Sequence, residues 1–458
     1  MSRPPVESSL FCPHVLLADG WARNARLHIA EDGRITRIEH GASPVGDERA
    51  AGPVIPGMPN LHSHAFQRAM AGLTERIGTS ADSFWSWREM MYRFLQVLTP
   101  EDIEAIAAFV YLEMLKSGYT SVAEFHYLHH DRDGKPFGDR AETSRRIVSA
   151  AQTVGLRLTH LPVLYAHSGF GGKPPTEGQR RFINSVDALL DIVHSISAQT
   201  QGEPAIRVGL AFHSLRAVTP DELSAAVAEI SAIDGTAPIH IHVAEQCAEV
   251  EECLAWSGRR PVAWLMDHAA VSSRWCLVHA THISPEETTT LARSGAVVGL
   301  CPTTEANLGD GLFPAEAYLM SGGAFGVGSD SHIIVSPAEE LRLLEYGQRL
   351  HTRRRNVLRS GQGESTGVGL YQATVCGGSR ALGLPAPGLT GGGFADLVVL
   401  NPAHPKLLGR AGEAVIDSYI FAGGEGAVCD VMVGGVSSSE ADAICPSKPS
   451  LAVTRRPR

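Results

Sequence analysis

Short apolar runs alternate with well-capped helical stretches over residues 54–332, and this alternation limits the fold more than any other feature of the chain. Eight runs read as strands: VIPGMPNLH (54–62), YTSVAEFHY (119–127), LRLTHLPVLY (156–165), IRVGLAFHS (206–214), PIHIHVAE (238–245), WCLVHATH (275–282), AVVGLCPTT (296–304) and FGVGSDSH (325–332). Helix starts recur between them, at Thr99-Pro100-Glu101-Asp102, Thr219-Pro220-Asp221-Glu222, Ser284-Pro285-Glu286-Glu287 and Ser336-Pro337-Ala338-Glu339. Each offers a hydroxyl N-cap, a proline at the first helical position and an acid three residues on. Eight strands alternating with helices predict the α/β class and a distorted, TIM-like (β/α)8 barrel, ahead of a doubly wound sheet. No GxGxxG follows a strand, so nothing supports a dinucleotide site.

The chain of 458 residues is longer than a barrel needs. LHIAEDGRITRIEH alternates around an Asp32-Gly33 turn and reads as a hairpin. FADLVVLNP and AVCDVMVGG, near the other end, are β-rich runs between glycine-rich turns. The two ends are expected to pair into one small β-sandwich domain (1–52 and 389–458) that flanks the barrel (53–388). The tail from Pro446 to Arg458 is polar and basic and is expected to fray.

Composition narrows the partners. With 39 basic and 49 acidic residues the net charge is −10, a poor match for nucleic acid or an anionic membrane. No run is long and apolar enough to span a bilayer, and no apolar run follows the first arginine as a signal peptide requires. The 8 cysteines are scattered without a CxxC pair. They read as reduced thiols of a cytoplasmic protein.

Against 5 lysines stand 20 histidines, and many of these lie at the strand ends, where such barrels carry their chemistry. Run one ends in His62-Ser63-His64, run two in Phe125-His126-Tyr127, and run four in His213 with Arg216 beyond it. Run five carries His240, His242 and Glu245, run six His279 and His282, and run eight Asp330 and His332. Residues i and i+2 of a strand share a face, so His62 and His64 can meet one ion. With His242, His279 and Asp330 at other strand ends, the set suits Zn2+, with Fe2+ or Mn2+ as alternatives. Such an ion lowers the pKa of a water toward ~7. Glu245, three residues beyond His242, can stand beside that water as a general acid and base. His240 and His242 share a face; the His-x-x-Glu spacing favours His242. Two-metal barrels of this kind often bridge their ions with a carboxylated lysine at the end of strand four. Run four has none, which favours a single ion.

These residues resemble the amidohydrolase superfamily in its mononuclear deaminase branch. PGMPNLHSHAFQRAMAGLTE, EFHYLHHDRDG, HSLRAVTP, HIHVAEQ, LVHATH, CPTTEANLGDG and GSDSH are similar, within it, to the formimidoylglutamate deiminase family, over about residues 12–435. The resemblance implies His62, His64, His242 and Asp330 as ligands of one Zn2+ per subunit. It implies catalytic roles for Glu245, His279 and Asp330, and substrate contacts from Gln67, Arg88, Tyr127, His213 and Arg216. The implied substrate is N-formimino-L-glutamate, a small dianion, hydrolysed to N-formyl-L-glutamate and ammonia in histidine degradation by a cytoplasmic homodimer. Arginine suits such a ligand because guanidinium grips a carboxylate with two parallel hydrogen bonds. The rivals are a deaminase of the same branch acting on a purine-like base and, more remotely, a non-catalytic barrel used as a scaffold.

Overall fold

A computed structural model describes residues 8–44, 48–75, 84–359, 361, 363–424 and 426–437; the tail read as frayed lies outside them. Eight parallel strands form the barrel in chain order: Met58–Ser63, Tyr119–His126, Arg157–Leu164, Leu210–Ser214, Ile239–Val243, Trp275–His279, Val297–Leu300 and Ala324–Val327. A parallel bridge between Ser63 and Asp330 joins the eighth strand end to the first. All eight expected runs contain a barrel strand, but runs one and four are each two strands. Val54–Pro56 pairs with Val15 and with Leu397–Val399, in the other sheet. Gly57 then turns the chain into the barrel.

The helix starts are local chemistry and fall where the sequence puts them. Thr99, Thr219 and Ser284 each close a capping box with the acid three residues on. Ser336 caps through Glu339 N–H. Satisfying a free N–H in this way stabilises each helix by about 1 kcal/mol. Between strands and helices lies one continuous apolar core, from Leu61 and Phe125 to Val327 and Leu370.

The chain ends pair in a single curled sheet. Ser8–Leu17, Gly20–Ile29 and Ile35–Glu39 form an antiparallel meander, and Val54–Pro56 links it to Leu397–Leu400 and Val428–Val433. The hairpin lies at the Asp32-Gly33 turn, with Gly33 at φ 80°. A separate core of Leu10, Val15, Leu27, Ile35, Leu397 and Met432 holds this sheet. Among the described residues no helix is long and apolar enough to cross a membrane.

Candidate metal centre and substrate pocket

Backbone hydrogen bonds at the barrel seam fix three of the expected ligands. Asp330 N–H donates to His62 O and His64 N–H donates to Asp330 O, each at 3.0 Å. Gly328 makes this approach possible, since a Cβ there would lie 2.7 Å from His62 N. His242 comes from the fifth strand. The Nε2 atoms of His62 and His64 are 3.1 Å apart, and those of His62 and His242 are 2.9 Å apart. Asp330 Oδ1 lies 3.5 Å from His62 Nε2 and 3.4 Å from His64 Nε2.

The donor set fits a divalent cation. His64 Nδ1 donates to Phe125 O at 2.9 Å and His242 Nδ1 donates to His213 O at 2.8 Å. That tautomer leaves both Nε2 lone pairs aimed at the same point. Burial lowers the pKa of His62, His64 and His242 and so favours the neutral imidazole at each. Lone pairs facing one another at 3 Å repel unless a cation lies between them, so the arrangement is one that could hold a metal ion.

His279 and Glu245 stand beside this centre. His279 Nε2 is 3.8 Å from Glu245 Oε1 and 3.7 Å from Asp330 Oδ2. Its Nδ1 is tethered to Glu305 Oε1 at 3.1 Å. Burial opposes charge on His279, but Glu245, Glu305 and Asp330 outweigh it and push the imidazole up to about 10. Burial pushes Glu245 up to about 7, against the pull of His279 and Arg216. His279, Cys301 and Glu305 also lie within ligand reach of one another. Glu305 Oε1 already accepts from Cys301 N–H at 2.9 Å, so it serves as a tether rather than a ligand.

Strain concentrates here. Ala244, His279, Ala280, Asp330 and His332 all take positive φ, between 48° and 66°, at the ends of strands five, six and eight. Non-glycine residues are held so only where their surroundings over-determine them, as at functional sites.

The remaining expected residues line one small cavity with His64, His242, Glu245, His279 and Asp330. Gln67 Nε2 donates to Tyr127 Oη at 2.9 Å, and the Tyr127 ring lies edge-on to His64 and His213. Arg88 enters from the helix Phe84–Leu95, over the Tyr92 ring. Arg216 is buried, yet Glu249 and Glu245 hold it charged. Sequence reasoning missed Glu305, and also Tyr165, whose ring packs 4.4 Å from His213 and whose hydroxyl accepts from Gln179 Nε2 at 2.7 Å. Trp87, Met91, Phe182, Thr304 and Ser331 complete the wall. A larger cavity of about 830 Å3, around Arg354, Arg355 and Arg359, touches none of these groups.

The other strand-end histidines go elsewhere. His240 Nε2 donates to Ala381 O at 2.8 Å. His126 pairs with Thr143, and His332 bridges Ser63 and Ser329. His282 faces Cys247.

Comparison with known proteins agrees with this geometry. Residues 54–437 match the amidohydrolase family, and residues 8–52 match the N-terminal domain of formimidoylglutamate deiminase HutF. A formimidoylglutamate deiminase of Pseudomonas aeruginosa is 54% identical over 428 residues, 93% of this chain and 94% of that protein. An 8-oxoguanine deaminase of the same organism is 28% identical over 342 residues, 70% of this chain and 72% of that protein. The crystal structure of an amidohydrolase from Brucella melitensis superposes with a TM-score of 0.89 at 52% identity, covering 94% of each chain.

Proposed function

Because this chain belongs to the amidohydrolase family and is a homologue of formimidoylglutamate deiminase, we propose that its cavity binds N-formimino-L-glutamate and hydrolyses the formimino group to N-formyl-L-glutamate and ammonia. One observation carries the reading. Three imidazole nitrogens and the Asp330 carboxylate converge, and His64, His242 and Asp330 of this set line the same cavity as two arginines, Arg88 and Arg216. A dianion needs fixed positive charge; a purine base does not.

His62, His64, His242 and Asp330 would hold the ion. Zinc suits three nitrogens and one carboxylate, with Fe2+ or Mn2+ as alternatives. When bound, a divalent ion here acts as a Lewis acid and makes water a nucleophile at neutral pH. The protein's residues do the rest. Arg216 and Arg88 grip the carboxylates, with Tyr127, Gln67 and His213 shaping the space between them. Asp330 takes a proton from the attacking water. His279, fixed by Glu305, aims Nε2 at the same point and steadies the charge that develops. Glu245, raised by burial into the range where it can both hold and give a proton, protonates the terminal nitrogen as the C–N bond breaks. Water supplies the formyl oxygen, and the imino nitrogen leaves as ammonia.

Ammonia release from formiminoglutamate, with and without a chelator, tests the reading. Guanine, adenosine and formiminoaspartate serve as competitors. Turnover of formiminoglutamate that a chelator abolishes supports it; faster turnover of a purine overturns it. The same reading carries a cytoplasmic homodimer, tested by light scattering.

A further inference from the structure

Glu249 is a buried carboxylate that the proposed chemistry does not use. It lies in the first turn of the helix Cys247–Ser257, three residues after the cap residue Gln246, and is 0% exposed. Asp102, Glu222 and Glu287 hold the same position in their own helices, and each reaches back to the N–H of its cap residue. Glu249 reaches further. Its Oε1 accepts from Ala244 N–H at 3.1 Å, and its Oε2 accepts from Glu245 N–H at 3.2 Å. These two residues carry the chain out of strand five, and Ala244 stands there at φ 52°. An alanine stays in the left-handed region only where its surroundings hold it. Gln246 makes no side-chain cap; its amide donates to the Asp310 carboxylate instead. The segment that presents Glu245 to the cavity is thus tied down on both sides of its own carboxyl.

The charge of Glu249 has a partner. Burial opposes charge on Arg216, and Glu249, ahead of Glu245, outweighs it, so guanidinium and carboxylate compensate each other out of water. An ionised carboxylate only accepts hydrogen bonds, which suits two N–H groups side by side.

We propose that Glu249 is a positioning residue for the hydrolysis: by holding the Ala244 and Glu245 N–H groups, it sets the turn that aims the Glu245 carboxyl at the leaving nitrogen. The proposal rests on the reading of Glu245 as the proton carrier. Glu249 does not line the substrate cavity and acts through Glu245. Proton transfer needs hydrogen-bond reach, and a misplacement of about 1 Å can cost about a hundredfold. In Glu249→Gln one acceptor oxygen becomes an NH2 group facing an N–H. One of the two bonds is lost, and the turn at Ala244 can relax to an ordinary backbone conformation.

A double-mutant cycle on the metal-loaded enzyme tests this, with kcat and KM read from ammonia release on formiminoglutamate. Glu249→Gln should lower kcat about tenfold to a hundredfold, with metal retained and KM within about threefold of wild type. In a Glu245→Gln background the same change should lower kcat by less than about twofold, because the group it aims can no longer carry the proton. Equal losses in the two backgrounds mean that Glu249 only supports the fold, and overturn the proposal. A loss that falls mainly on KM means that it works through Arg216, and overturns it as well. Residue-resolved hydrogen exchange of the wild type needs no variant to fold: the Ala244 and Glu245 amides should be protected, and rapid exchange at both overturns the proposal. A wild type that releases no ammonia, or a fully active Glu245→Gln, is seen in the single proteins before the cycle is closed; either removes the premise, and the proposal falls with it.

Discussion

His62 and His64 on the first barrel strand, and His240 and His242 on the fifth, have the same His-x-His spacing but different surroundings. The first strand ends at Ser63, and the chain leaves it at His64 with φ −119° and ψ 79°. Both imidazoles therefore reach the mouth of the barrel, with Nε2 atoms 3.1 Å apart. The fifth strand runs from Ile239 to Val243, so His240 still lies inside the barrel wall. Its Nε2 turns to Ala381 O, at the end of the helix Thr366–Ala381, while His242 reaches His62. A spacing of two fixes the face; where the strand ends fixes the depth. Two rises of about 3.3 Å are enough to separate a candidate ligand position from a structural one.

The largest expected effect breaks this comparison directly. His242→Ala removes a converging nitrogen and should cost about a thousandfold or more in kcat/KM, since a Lewis acid supplies several kcal/mol. Metal content should fall with it. His240→Asn should keep the metal and most of the activity, and lose about 1–3 kcal/mol of stability for its buried hydrogen bond. Metal analysis and denaturant titration of both variants check the pair. A metal-free His240→Asn would mean that both pairs act alike.

Glu245→Gln comes next. It keeps the shape of the site but cannot carry the proton, so kcat should fall by about a hundredfold to ten-thousandfold with metal retained. Near-normal turnover in that variant removes Glu245 from the proton path. Glu305→Gln should cost less, about ten- to a hundredfold, because it loosens His279 without touching the reacting atoms. Its kcat–pH profile should shift as well, since Glu305 helps keep His279 charged. A plain loss of stability with an unchanged profile would make Glu305 only a cap for Cys301.

Glu305 also shows where the sequence stops being legible. Strands and capped helices are written in local periodicity, and the candidate ligands sit at strand ends, where the barrel brings them together. Glu305 lies in the short helix Pro302–Leu308 and reads as an ordinary first-turn acid beside the helix dipole. Its role exists only because that helix brings the carboxylate within 3.1 Å of His279 Nδ1 at the end of strand six. Tyr165, Gln179 and Phe182 come from the connection after strand three, which carries no period and whose path depends on tertiary contacts. The left-handed residues around the site carry no signal either: Ala244, His279, Ala280 and Asp330 are not the glycines that would announce such a conformation.

The smallest effect sharpens the same pair by titration. Burial lowers His240 to about 4, only partly offset by its hydrogen bond to Ala381 O. The unfolded chain takes up that proton near pH 6.5. Between about pH 6.5 and 4 the unfolded state thus holds a proton that the folded state refuses, and stability falls as pH drops. The slope from one such histidine approaches about 1.4 kcal/mol per pH unit. His160, lowered to about 3 by burial with His129 nearby, adds to it in the same direction. Denaturant melts of metal-free wild type and His240→Asn from pH 7.5 to 5 should therefore converge. The variant starts less stable at pH 7.5 and then loses less on acidification, by about one proton's worth of slope. Parallel curves would mean that His240 is protonated in the folded barrel, and that the wall at Ala381 is wetter than its buried surroundings imply.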